Sequence, residues 1–163
     1  LKDLVASDYE VILRPHPQMY ISKQQIIKNI EKEIEDVSNL KIDNSPSAEE
    51  TMVKADILIT DLSGIIFDFY FVFEKPVISI DGLISKSGQE AECVSKNPWE
   101  IENLKNVSTV LNFESMNNIQ KYIDTAYKIT TKENIEEFRK VSVFNYGNAG
   151  KVAAEQIIEK IKN

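Results

Sequence analysis

The sequence predicts an α/β domain in which a parallel sheet is flanked by helices. Strand and helix signals alternate along the chain, as they do when strands are joined by helical crossovers. The strands also read as short continuous apolar runs, the pattern of strands buried on both faces of a parallel sheet. Finally, 163 residues with 42% hydrophobic and 28% charged side chains suit one ordinary globular domain rather than a disordered chain. A domain of this length buries roughly 70% of its unfolded surface and needs no covalent staple.

Val11-Ile12-Leu13 is the first strand, and it stops at Arg14-Pro15-His16-Pro17. Two prolines around one residue force an extended exit. Ser22, with Gln25 three positions on, has capping-box spacing and is expected to open a helix whose apolar face carries Ile26, Ile27, Ile30, Ile34 and Val37. Leu40-Lys41-Ile42 is a weak strand before the turn formers Asp43 to Ser47. Ser47 and Glu50 repeat the capping-box spacing and open a short helix to about Lys54. Ile57 to Thr60 reads as a strand buried on both faces. The turn Asp61-Leu62-Ser63-Gly64 follows, and then a helix over Ile65 to Phe73 that is apolar nearly all round. Lys75-Pro76 ends that helix, and Val77 to Ile80 is the next buried strand. Residues 81–106 read as a long loop. Ser108 to Leu111 is a last strand. Three helices close the chain, carrying Ile119, Ile123, Ala126 and Tyr127, then Ile135 and Phe138, then Val152, Ile157, Ile158 and Ile161.

Composition excludes several functions. Nineteen basic against 26 acidic side chains leave a net charge of −7, which disfavours nucleic acid and anionic membrane as partners. The single cysteine, Cys93, excludes an internal disulfide and a cysteine zinc knuckle, and the single histidine excludes a His-rich metal site. No apolar run is long enough to span a bilayer. The start, Leu1-Lys2-Asp3-Leu4, lacks an initiator methionine and a signal pattern, so the chain is expected to be cut from a longer protein.

The strongest chemical constellation is Thr60 to Gly64, between a buried strand and an apolar helix. Ligands of open α/β sheets bind beyond the carboxyl ends of the strands. A helix starting there offers unpaired N–H groups and the positive end of its dipole. Ser63 adds a hydroxyl, and Gly64 admits an anion to the backbone. The same residues fit a plain helix cap by Asp61 or Ser63. Asp68, between Phe67 and Phe69, either reaches a ribose from the ligand side or occupies an exposed stripe. His16 leaves another strand's carboxyl end. If both strands share a sheet, it faces the same crevice as Ser63 and can bond phosphate or move a proton. Arg14 can clamp a phosphate or pair with a carboxylate. Gly147-Asn148-Ala149-Gly150-Lys151 opens the last helix, where small residues permit a second close approach at Asn148 and Ala149. A Ser-His-Asp hydrolase fits poorly, because no Gly-x-Ser-x-Gly elbow is present and the histidine precedes the serine.

Arg14-Pro15-His16-Pro17, the stretch from Ala55 to Asp68, Lys75-Pro76-Val77-Ile78 and the closing Gly147-Asn148-Ala149 together resemble the C-terminal half of the CDP-glycerol glycerophosphotransferases, the teichoic-acid polymerases of bacteria. The resemblance covers about residues 10–80 and 144–161. It implies a GT-B architecture, two Rossmann-like domains with a cleft between them, in which residues 1–163 are the single nucleotide-donor domain. It further implies transfer of glycerol phosphate, or a related polyol or sugar phosphate, from a CDP-activated donor to a cell-envelope polymer such as a wall or capsule polysaccharide. By the same resemblance His16 contacts the donor diphosphate, Ser63 and the Gly64 N–H hold phosphate, and Asp68 lies near the ribose. No metal or cofactor is implied. The partners it implies are the small-molecule donor, the polymer acceptor and an N-terminal domain of the same protein. It also implies a cytoplasmic setting, with any contact to the inner membrane face made through that other domain. Gly64 stands where the family usually has a second serine, and Tyr146-Gly147 and Gly150 replace its usual Asp-Gly and serine. Residues 81–98 show no clear match to its tyrosine and Arg-Gly acceptor-side loop. Two other readings stay open: a sugar-nucleotide 2-epimerase-like domain, which places a Ser-Gly pair in a similar turn, and a non-catalytic nucleotide-binding or interaction domain.

Overall fold

A computed structural model describes residues 2–81, 98–112 and 117–162. Within them, helices α1 (Lys2–Val5), α2 (Pro17–Ser22), α3 (Gln24–Ile34), α4 (Glu49–Lys54), α5 (Ile65–Phe71), α6 (Trp99–Val107), α7 (Ile119–Ile129), α8 (Lys132–Ser142) and α9 (Ala149–Lys162) alternate with strands β1 (Val11–Leu13), β2 (Leu40–Ile42), β3 (Leu58–Thr60), β4 (Val77–Asp81) and β5 (Thr109–Asn112). All strand pairs are parallel and flanked by helices, the Rossmann-like α/β arrangement.

The strands form two sheets rather than one. β1 pairs with β2, in register Val11 to Leu40, and β3, β4 and β5 form a second sheet in that order. β4 is the central strand, and Val77, Ile78 and Ser79 are all buried. β3 was expected to be buried on both faces, yet its three residues are only half-buried. The reason is its place in the sheet: β4 covers one of its edges and no strand pairs with the other among the described residues.

Two apolar clusters hold the fold. The larger gathers Met52 of α4, Ile66, Phe69, Tyr70 and Phe71 of α5, Val77 of β4, Leu104 and Val107 of α6 and Ile135 of α8. The smaller gathers Ile78, Leu111, Ile119, Ile123 and Ala126 on the other face of the sheet, with Leu4 packed against it. α5 therefore lies largely inside the protein, as its nearly all-apolar sequence requires. Asp68 is its one exposed position from Ile65 to Phe71.

Helix boundaries depart from the sequence reading at three places. α2 starts at Pro17, before the expected cap at Ser22. Ser22 ends α2 instead and donates its hydroxyl back to the Gln18 carbonyl at 2.9 Å. α3 then begins at Gln24 with no side-chain cap; of its expected apolar face Ile27 is buried, Ile30 and Ile34 are half-buried and Ile26 is exposed. Ala48 caps α4, although the Ser47 hydroxyl accepts the Glu49 N–H at 3.2 Å. Residues 99–107, read as loop, form α6. Pro98 precedes it, Glu100 and Glu102 sit in its first turn, and Leu104 and Val107 are buried one turn apart. The rest of the expected 81–106 loop, residues 82–97, lies outside the described residues. α9 exists where expected, yet none of its residues is buried.

Basic side chains close the carboxyl ends of two helices. Lys75 Nζ donates to the carbonyls of Met52 (3.3 Å), Val53 (2.7 Å) and Ala55 (2.6 Å), where α4 ends, and lies 5.9 Å from the centre of the Phe69 ring. Arg139 of α8 donates to the Phe71 carbonyl at 2.5 Å and to Glu74 at 2.8 Å, at the end of α5. A Lys75→Met variant keeps the alkyl stem and loses every donor. It is expected to be less stable by about 1–2 kcal/mol, read as a lower urea midpoint with unchanged slope.

Candidate functional site

The carboxyl ends of β1 and β3 carry the residues singled out above. Arg14 leaves β1 and turns toward the end of β2. Its guanidinium donates to Asp43 Oδ2 at 2.5 Å, to the Ser45 hydroxyl at 3.0 Å and to the Ser45 carbonyl at 2.6 Å. Of the two partners open to it, the structure gives it a carboxylate. Both side chains are largely enclosed, at 20% and 18% exposure. Asp43 also accepts from the Ser45 hydroxyl at 2.6 Å, from the Ser45 amide at 2.9 Å and from the Thr51 hydroxyl of α4. These bonds, the Ser45 and Thr51 hydroxyls first, hold the Asp43 carboxyl well below the usual carboxylate range, against the opposing effect of burial.

His16 is exposed and is the N-cap of α2. Its backbone is extended, at φ −59° and ψ 136°, as the following Pro17 requires. Its Nδ1 accepts the Gln18 N–H at 3.1 Å.

The turn after β3 is open. Gly64 is the N-cap of α5 and makes no side-chain cap bond, so neither Asp61 nor Ser63 caps the helix. Asp61 is exposed, and among the described residues its one hydrogen-bond partner is the Thr60 hydroxyl, at 3.4 Å. The helix starts with short i to i−3 bonds, from Ile66 N–H to Ser63 and from Phe67 N–H to Gly64, each 3.1 Å. The amides of Ser63, Gly64 and Ile65 donate to no acceptor among the described residues. A Cβ built on Gly64 would meet nothing within 4 Å. The tip is therefore not packed shut. Asp68 lies on the exposed stripe of α5, one turn beyond this start. Asn148 and Ala149 are exposed at the start of α9, after Gly147 with a left-handed φ of 70°, and Asn148 donates its amide to the Asn145 carbonyl at 2.8 Å.

The shared crevice was expected on condition that β1 and β3 belong to one sheet, and hydrogen bonding does not join them. α4 is the link instead. Its Thr51 bonds Asp43, and through Asp43 the Arg14 arm that leads to His16. Its Met52 packs in the cluster that holds Ile66 and Phe69 of α5. Sequence reasoning passed over Asp43 as a turn former and missed Trp99, a half-exposed ring 5.1 Å from Phe67 and 6.3 Å from Phe138. Phe67 stands one turn from Ser63, which was the available signal for that neighbourhood.

Residues 1–81 match the family described as CDP-glycerol:poly(glycerophosphate) glycerophosphotransferase. Over these residues the chain is similar to that family. The matched residues contain both the Arg14 to Pro17 segment and the turn at Gly64, and the match supports a transferase kind of enzyme. Neither a curated protein nor a solved structure matches the chain. No helix among the described residues is long and apolar enough to cross a membrane.

Asp43 gives a pH prediction. Its folded-state pKa is depressed, so its contribution is fully present above the unfolded value of about 4 and is lost as pH falls from there toward the lower folded value. Acid titration followed by circular dichroism should show wild-type stability falling below about pH 4. Asp43→Asn should be less stable at neutral pH and show a shallower acid limb.

Proposed function

We propose that this chain is the donor-nucleotide-binding part of a GT-B-type transferase that moves glycerol phosphate, or a related polyol or sugar phosphate, from a CDP-activated donor to a cell-envelope polymer. The observation that carries the proposal is the uncovered start of α5, with amides at Ser63 and Gly64 that are unpaired among the described residues and lie inside the family-matched segment. Backbone N–H groups at a helix start suit a diphosphate, because they offer fixed dipoles at no reorganisation cost. In this reading Ser63 Oγ and the Gly64 N–H bind phosphate and His16 bonds a second phosphate oxygen. Asp68, one turn along the exposed stripe, takes the ribose hydroxyls. Asp61 orders the turn. Arg14 acts through Asp43, fixing the loop that carries His16. Asn148 and Ala149 offer a further backbone approach at the start of α9. In this reading amide dipoles and an imidazole N–H, rather than a metal, stabilise the diphosphate oxygens.

The reaction is a phosphoryl substitution. An acceptor hydroxyl attacks the phosphorus that carries glycerol, the bridging P–O bond breaks, and CMP leaves with the electron pair. The acceptor and the second wall of the cleft belong to a further domain. The donor domain alone is then expected to bind nucleotide without turning it over, on the cytoplasmic side of the membrane.

Calorimetric titration of the chain with CDP, UDP and GDP tests the reading. Binding of CDP in preference to the others supports it, a preference for UDP points to an epimerase-like or other glycosyltransferase donor, and binding of none overturns it. Gly64→Ala separates site from scaffold. Gly64 has an ordinary helical φ of −56° and open space beside it, so alanine should leave stability equal or raise it by about 0.4–1 kcal/mol. The added methyl should lower CDP affinity about tenfold, a loss of one phosphate hydrogen bond. Unchanged affinity would make Gly64 a plain helix start.

A further inference from the structure

α2 opens with a proline, whose nitrogen carries no proton, so the first amide N–H of the helix is that of Gln18. It is spent on His16 Nδ1, at 3.1 Å. An imidazole nitrogen that accepts a hydrogen bond carries no proton, and in the neutral ring the proton then sits on Nε2. The opposite tautomer would set Nδ1–H against Gln18 N–H. Backbone adjustment offers little relief, because Pro15 and Pro17 flank the residue and each fixes its own φ. Nε2 has no partner among the described residues, and the ring is exposed at the carboxyl end of β1.

We infer that the Gln18 amide locks His16 as the Nε2–H tautomer, so that this imidazole meets its ligand as a hydrogen-bond donor and not as a base. The identity of that ligand, a nucleoside diphosphate, rests on the function proposed above; the tautomer rests only on the Gln18 bond. During transfer the new P–O bond forms from the acceptor oxygen, and the bridging P–O bond breaks with its electron pair passing to CMP. Nε2–H donates to a phosphate oxygen that gains charge in this step. The acceptor's hydroxyl proton goes to a different base, which the other side of the cleft supplies. Gln18 is thus a positioning residue through its backbone, and its side chain is free to vary.

His16 is the only histidine in the chain, so histidine-specific ¹⁵N labelling reads it without assignment. At about pH 8, where histidine is ordinarily neutral, long-range ¹H–¹⁵N correlation should show a protonated Nε2 and a bare, hydrogen-bonded Nδ1. Gln18→Pro removes the capping N–H at a position in the first helical turn, and circular dichroism checks that the fold survives. The substitution should move the Nδ1 resonance toward that of a free imidazole. A protonated Nδ1 in the wild type, or no response to Gln18→Pro, overturns the lock. Calorimetry with CDP tests the donor role. His16→Asn keeps a capping acceptor but has no group reaching the Nε2 position, and it should lose about tenfold in affinity. His16→Gln places an N–H near Nε2 and cannot act as a base. With its fold checked by circular dichroism, it should stay within about threefold of wild type. Wild-type affinity in His16→Asn, or equal losses in both variants, overturns donation. Failure of the wild type to bind CDP sinks the proposed function, and the labelling result still decides the tautomer.

Discussion

One carboxylate, Asp43, sets the geometry around the candidate site. The β1–β2 ladder is three residues long on each strand, too short to fix loop positions by itself. Asp43 takes hydrogen bonds from the arm after β1, from its own turn and from α4, and so joins three segments at one point. Such a partly enclosed, multiply bonded charge is far costlier to leave with a partner missing than to keep whole. α4 hands the constraint on, since Met52, next to Thr51, enters the cluster that seats α5. No ladder joins the strand before His16 to the strand before Gly64, and the links described between those two regions run through side chains of α4.

The helix ends are treated unequally. Lys75 neutralises the carbonyl end of α4, and Arg139 does the same for α5. The amide end of α5 is left without a side-chain cap. Negative ends are thus satisfied internally while one positive end faces outward. This arrangement favours an anion locally, in a chain whose overall charge is −7.

Much of this was legible in the sequence, for identifiable reasons. The run at Val77 is apolar because a buried parallel strand demands it, and the runs at Val11 and Leu58 form parallel strands that are half-buried. The spacing of Ile119, Ile123 and Ala126 shows which face of α7 is covered. The turn at Ser63-Gly64 and the bracketed His16 stand at strand ends because prolines, glycine and serine interrupt the apolar pattern there. Other features left no local signal. Whether β1 joins β3 depends on pairing between segments over forty residues apart, which no periodicity encodes. The Ser22 cap failed because Pro17 starts a helix earlier, with histidine doing the work usually given to serine or aspartate. α6 was hidden by its asparagines and glutamates, which leave Leu104 and Val107 as its only buried residues. Arg14, Asp43 and Thr51 meet only in three dimensions.

α9 has fourteen residues, and Ile157, Ile158 and Ile161 stand 51–78% exposed along it. Isolated helices of about that length are marginal in water. With no buried side chain to anchor it, α9 should wind and unwind locally, without waiting for the two apolar clusters to open. Its amide protons should then exchange with solvent orders of magnitude faster than those of β4, making the C-terminal segment a separate thermodynamic unit within one polypeptide.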